Sequence, residues 1–183
     1  MTRLFVAIDL PDDCKEMLEG LCHSLPGARW MRDRQFHVTL RFVGEVDGPI
    51  GRNLAETLHG VRADPFELQL KGVGTFPPRG NPRVLWAGVS ESPELLALYK
   101  QVQRVMRRAG LPPEDRKFSP HVTLARLRDV PMQRLLEFVS EHSTLRSEPF
   151  AVTDVQLFSS ALGHGGAQHR VEASYPLFAR RPG

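Results

Sequence analysis

The stretch Phe36-His37-Val38-Thr39-Leu40-Arg41-Phe42 holds a tetrapeptide, His37-Val38-Thr39-Leu40, that returns unchanged at His121-Val122-Thr123-Leu124. With 7 His, 7 Thr and 23 Leu in 183 residues, a His-x-Thr-Leu pattern is expected by chance only about 0.03 times. Two copies therefore report a duplication, 84 residues apart. Each copy reads as a strand. Phe36, Val38, Leu40 and Phe42 alternate with His37, Thr39 and Arg41, and a period of two puts the apolar set on one face and the polar set on the other. Around the second copy Phe118, Val122 and Leu124 take the apolar part, and Pro120, which cannot donate to a ladder, marks the strand's start or an edge position. Each motif so delivers one imidazole and one hydroxyl side by side on a rigid element.

Two imidazoles on one cleft suit a reaction that needs a general base and a general acid, because histidine titrates near neutral pH and serves in either role. Threonine hydroxyls beside them can donate to a bound oxyanion. The combination favours transfer at phosphorus. No His-Glu-x-x-His, Cys-x-x-Cys or P-loop pattern is present, so the chemistry is expected to need neither metal nor cofactor.

Working outward, the segments flanking each motif repeat as well. A strand at Arg3–Asp9, a helix from Pro11 to about Leu25, the His37 strand, a turn at Gly44–Gly48, a helix over Ile50–Val61 and strands near Phe66–Val73 and Arg83–Val89 make up the first run. A helix over Ser92–Ala109 then opens a second run, with the His121 strand, a helix over Met132–His142, a strand near Glu148–Ser159, a glycine-rich loop at Leu162–Gly166 and a last strand at Gln168–Ala173. An offset of this length predicts two similar lobes, not a solenoid. Strands joined by short turns should be antiparallel. The expected class is α+β and bilobal: two antiparallel sheets with helices on their outer faces, related by a pseudo-twofold axis around a central cleft, all within one domain, 1–183.

Composition leans basic, readable as suited to phosphate contacts or as a high-arginine composition without meaning. The net charge is +3, and 20 of the 24 basic residues are arginine, whose fork suits phosphate. Arg104, Arg107 and Arg108 form one basic cluster, readable as a solvated helix face or as an RNA backbone contact. The apolar run at Met1–Leu10 ends at Asp9, too short for a signal peptide or a membrane span, so a cytoplasmic protein with no membrane partner is expected. Cys14 and Cys22 fall in one expected helix, about 12 Å apart along its axis, too far to bridge.

His37-Val38-Thr39-Leu40-Arg41-Phe42-Val43-Gly44 and Phe118-Ser119-Pro120-His121-Val122-Thr123-Leu124-Ala125-Arg126 resemble the paired motifs of the 2H phosphoesterases. Within that superfamily the chain is most similar to the bacterial and archaeal RNA 2',3'-cyclic phosphodiesterases, once called 2'-5' RNA ligases. Arg3-Leu4-Phe5-Val6-Ala7-Ile8 followed by Pro11, and Gly74-Thr75-Phe76-Pro77, extend the likeness over most of the chain. The resemblance implies hydrolysis of a terminal 2',3'-cyclic phosphate to a 2'-phosphomonoester, with an RNA or oligonucleotide end as partner; a monomer is expected. It implies His37 as proton donor, His121 as proton acceptor, Thr39, Thr123 and Arg126 as phosphate ligands and Phe42 as a base-stacking ring. Arg41 shares the face of His37 by parity and is a secondary phosphate candidate. The alternatives are ATP-independent 2'-5' ligation by the same histidines, and a silent nucleotide- or RNA-binding module.

Simple alternation objects to two of these assignments. Phe42 and Arg126 each lie five residues past their histidine and should point away from it. A bulge after each motif removes the conflict, and the pseudo-symmetry requires it in both strands or in neither. His164 and His169 flank the glycine-rich loop, readable as a cover for the cleft or as a solvated loop without a role.

Overall fold

A computed structural model describes residues 1–178; the last five residues of the expected 1–183 unit lie outside the described residues. The elements in chain order are β1 (Thr2–Asp9), α1 (Asp12–Glu19), β2 (Ala28–Trp30), β3 (His37–Val46), α2 (Gly48–Thr57), β4 (Phe66–Leu68), β5 (Leu70–Phe76) and β6 (Val84–Val89). There follow α3 (Pro93–Arg108), β7 (His121–Leu127), α4 (Met132–Glu141), β8 (Phe150–Val152), β9 (Asp154–Gly163) and β10 (Gly166–Pro176). The class is α+β, as expected, and every strand pairing is antiparallel.

Strand order is β10-β9-β1-β3-β7-β6-β5, with β2 also on β7, and β4 and β8 pair as a separate small ribbon. The strands of the two expected sheets form one eight-stranded sheet, whose two halves are joined at one residue pair, Val38 with Val122, where the two motif strands touch. From that pair outward, β1 corresponds to β6 and β9 to β5, which is the pseudo-twofold relation. The lobes are not the two halves of the sequence. The second strand after α2, β5, pairs with β6 beside the second motif, and its counterpart, the second strand after α4, β9, pairs with β1 beside the first. Each lobe thus mixes strands from both halves of the chain: β9 and β10 join β1 and β3, and β2, β5 and β6 join β7.

The alternation read from sequence explains which face is buried. Val38, Leu40, Val122 and Leu124 are buried in one apolar core with the inward residues of α2, α3 and α4, so the helices cover the sheet face away from the histidines. The start of α2 follows its local chemistry: Asp47 accepts from the Ile50 N–H at 2.9 Å and Pro49 stands in the first turn.

Three expectations are corrected by the structure, and one strand is present that the sequence reading lacked. Gly44–Gly48 is not a turn; β3 runs on to Val46, with Gly44 at φ +88° absorbing an irregularity opposite Leu4. The first helix stops at Glu19, six residues early, so Cys22 lies beyond it; both cysteines are free. Leu162–Gly166 is the tip of a tight β9–β10 hairpin. The three-residue strand β2 was too short to announce itself by periodicity.

Candidate active site

The pairing of Val38 with Val122 sets the geometry of the site. In an antiparallel ladder, residues flanking such a pair fall opposite one another, so His37 lies alongside Thr123 and Thr39 alongside His121. The two histidines are then on a diagonal, about 7–8 Å apart at Cα in a regular ladder. That separation leaves room for a tetrahedral group between the two rings. All four side chains are half-buried and line one cavity of about 550 Å³.

Beyond each motif the strand bulges at the corresponding residue. In β3 the register jumps from Val6–Arg41 to Ala7–Thr39, leaving Leu40 extra; in β7 it jumps from Leu85–Ala125 to Trp86–Thr123, leaving Leu124 extra. Two consecutive residues are buried in each case, Leu40-Arg41 and Leu124-Ala125, and the next turns outward. Phe42, 67% exposed, and Arg126 thereby join the cleft. The same bulge removes Arg41 from it. Arg41 is only 6% exposed; its guanidinium donates to Gln103 Oε1 at 2.7 Å and to the Pro112 carbonyl, and lies 3.9 Å from Glu114. Its expected place beside His37 is therefore corrected: Arg41 ties β3 to α3 and the loop after it.

The two imidazoles sit in different surroundings. His121 Nδ1 lies 2.7 Å from the Ser119 carbonyl. A carbonyl only accepts, so Nδ1 carries the proton and the neutral ring keeps its lone pair on Nε2. Burial lowers the pKa of His121, against an opposing pull from that carbonyl. The Phe76 ring stands edge-on to it at 4.9 Å, and Trp86 backs Phe76 at 5.3 Å. Gly74 makes room for that indole: a Cβ there would collide with the Trp86 ring.

His37 is held by rings. Phe5 lies 4.7 Å from it, Phe158 5.9 Å and His169 5.2 Å, while Phe5 stacks on Phe158 at 5.0 Å. Its Nδ1 is buried without a hydrogen-bond partner, which leaves Nε2 as the nitrogen open to the cleft. Burial pushes its pKa down to about 3, with the nearby His169, His121 and Lys15 adding to the fall. The Gln35 backbone opposes this, although it forms no hydrogen bond of ordinary geometry with the ring.

Arg3, Arg29, Gln35 and His169 also line the cleft and were absent from the sequence-derived site. Gln35 had a signal, since it shares the parity of His37. His169 had one only in part: its strand was expected, but the face that β10 turns to the cleft depends on the β9 pairing. Arg29 stands on the unannounced β2. Among the described residues no group of three His, Cys, Asp or Glu side chains is placed to hold a metal ion.

The model of the 2'-5' RNA ligase superfamily matches residues 16–164, a span that holds both histidine strands. The chain belongs to this superfamily. Among its members, a protein of Aeropyrum pernix named RNA 2',3'-cyclic phosphodiesterase is 33% identical over 150 residues, covering 81% of this chain and 85% of that one. A Thermotoga maritima protein of the same name is 33% identical over 177 residues, 92% of each chain. The crystal structure of Escherichia coli LigT complexed with 3'-AMP matches with a TM-score of 0.76 at 26% identity, covering 96% of this chain and 98% of that one. Superfamily membership and the α+β bilobal architecture thus agree with the reading of the paired motifs.

Proposed function

We propose that the protein hydrolyses the terminal 2',3'-cyclic phosphate of RNA to a 2'-phosphomonoester, with residues 1–183 working as one bilobal unit. The observation that carries this reading is the diagonal placement of two histidines, each beside the other motif's threonine, in one cleft. The names of the relatives support the same activity, and 3'-AMP in LigT carries its phosphate on an oxygen of the same ribose diol.

The steps follow from the protonation geometry. His121, with its proton fixed on Nδ1, takes a proton from water through Nε2. The water oxygen bonds to phosphorus and the P–O3' bond breaks in line with it. His37 Nε2–H protonates the departing O3', leaving a 3' hydroxyl and a 2'-phosphate. Thr39, Thr123 and Arg126 hold the non-bridging oxygens, and Phe42 offers a face to the terminal base. In the free protein burial keeps both rings neutral at pH 7. The phosphate anion favours the charged form of His37 and so draws its pKa back up as it binds.

The same geometry run backwards joins a cyclic end to a 5' hydroxyl, and the superfamily's name makes that a reading to test, with water in vast excess favouring hydrolysis. We place the protein in the cytoplasm as a monomer. No helix of the described residues is long and apolar enough to cross a membrane, and two free cysteines suit a reducing compartment. The test is incubation with a short RNA ending in a 2',3'-cyclic phosphate, in EDTA, with the phosphate position of the product identified. A 2'-phosphate is expected. A 3'-phosphate would reverse the assignment of the leaving oxygen, and a product seen only on adding a metal ion would overturn the two-histidine mechanism.

A further inference from the structure

A second cavity, about 690 Å³, opens beside the first and shares Gln35, Gly165, Ala167 and His169 with it. Its volume is that of a ligand site. One wall is the 3-10 turn Asp33–Gln35 with the preceding Arg32; the other is the β9–β10 hairpin. Gln35 Nε2 donates to the Ala167 carbonyl at 2.8 Å and ties the walls together.

Charge and position say what this groove is for. Arg32, Arg34 and Arg170 line it, and none forms an ion pair among the described residues. Its two acids are already engaged as acceptors, Glu172 from the Ser159 hydroxyl at 2.5 Å and Asp33 from the Arg34 N–H at 2.7 Å. Every lining element belongs to the His37 lobe or leads into it, and no residue of β7 contributes. In-line attack from the His121 side puts the ribose, on leaving, at the His37 side of phosphorus. Whatever is attached to that ribose through its 5' oxygen must run away on the same side.

We infer that this groove is the track for the RNA chain upstream of the cyclic end, with Arg32, Arg34 and Arg170 contacting its phosphodiesters. The inference rests on the proposed activity and names its substrate class: oligonucleotide ends are preferred to nucleoside 2',3'-cyclic monophosphates. Guanidiniums without ion-pair partners are suited to this, since phosphate contacts position a nucleic acid without reading its sequence.

The test compares kcat/KM for a nucleoside 2',3'-cyclic monophosphate and for a cyclic-phosphate-ended tetranucleotide. The wild type, the triple variant Arg32→Gln/Arg34→Gln/Arg170→Gln, and a charge-matched control on the exposed face of α3, Arg104→Gln/Arg107→Gln/Arg108→Gln, are measured side by side. The wild type and the control should favour the tetranucleotide by on the order of tenfold or more, which is ~1.4 kcal/mol. The triple variant should lose that preference and keep its mononucleotide rate, which also shows that it folds. Its salt dependence for the tetranucleotide should flatten by about 0.7 in log-log slope for each phosphodiester that an arginine no longer neutralises. No length preference in the wild type, or the same preference in the triple variant, overturns the track. If the wild type turned over no cyclic end of any length, the proposed activity would fail instead. The track would then stand or fall on whether the same variants bind the tetranucleotide more weakly by fluorescence anisotropy.

Discussion

Two regions of this molecule have the same tetrapeptide, the same ladder register and the same bulge, yet different chemistry. Around His121 the ring's inner nitrogen is fixed by the carbonyl of Ser119, two residues back in the segment just before its strand, and one phenyl ring stands beside it. Around His37 the inner nitrogen has no partner, and the ring is enclosed by Phe5 from β1, Phe158 from β9 and His169 from β10. After the bulges the equivalent positions hold a phenyl in one lobe, Phe42, and a guanidinium in the other, Arg126. Duplication preserved the backbone device that aims side chains into the cleft. The division of labour proposed above rests on what surrounds each ring: the Ser119 carbonyl before β7 at His121, and rings from β1, β9 and β10 at His37.

Removing one imidazole at a time should separate the two lobes most strongly. His37→Ala and His121→Ala should each lower kcat by about 10²–10⁴, and the double variant should fall little further, because the two act in one step. The asymmetry emerges with an activated phosphodiester whose nitrophenolate leaves without a proton. That substrate should restore much of the rate to His37→Ala and none to His121→Ala. Equal rescue of both would mean that acid and base are not divided in this way.

A smaller effect is expected at the positions after the bulges. Arg126→Gln should cost about 10² in kcat/KM, as for loss of one charged donor to a developing oxyanion. Phe42→Ala should raise KM by an amount worth about 1–3 kcal/mol of stacking and leave kcat nearly unchanged. Arg41→Met, by contrast, should leave kcat/KM of the folded protein intact and lower the urea midpoint, because Arg41 bonds to Gln103 and Pro112 and not to the cleft. Loss of activity at full stability in Arg41→Met would put that residue back in the site.

How much of this was legible in the sequence depended on range. The motif strands, their buried face and the facing histidines follow from alternation over a few residues, and so does the need for a bulge, since Phe42 and Arg126 otherwise point wrongly. Which way Arg41 turns follows from the same bulge once it is placed, but no local signal fixes it at Leu40. The pairing of β9 with β1 and of β5 with β6 was not legible, because a strand's partner is chosen by packing over the whole chain. With it went the identity of the rings around His37 and the place of His169. The extent of α1 was misjudged since Leu21, Cys22 and Leu25 keep apolar spacing in a segment that has already left the helix.

The last and smallest effect concerns protons alone. His37 is held at a pKa of about 3 in the free protein, well below the ~6.5 of an unfolded histidine, because burial penalises the charged ring. A group whose pKa falls on folding binds its proton more readily in the unfolded chain, so it contributes stability that is present above pH ~6.5 and is lost as the pH drops towards 3. His121, lowered by burial too, acts with the same sign. His37→Gln should therefore flatten the decline of Tm between pH 6.5 and 4. Inorganic phosphate should raise the pKa of His37 by about 1–3 units, the range for an opposite charge at contact distance, read from the imidazole resonances by NMR. The basic limb of kcat, which reports the bound state, should then lie above that of kcat/KM, which reports the free enzyme. A His37 that titrates near 6.5 without phosphate, with no movement on adding it, would mean that the ring collar does not set the acid's proton affinity and that the two histidines are alike after all.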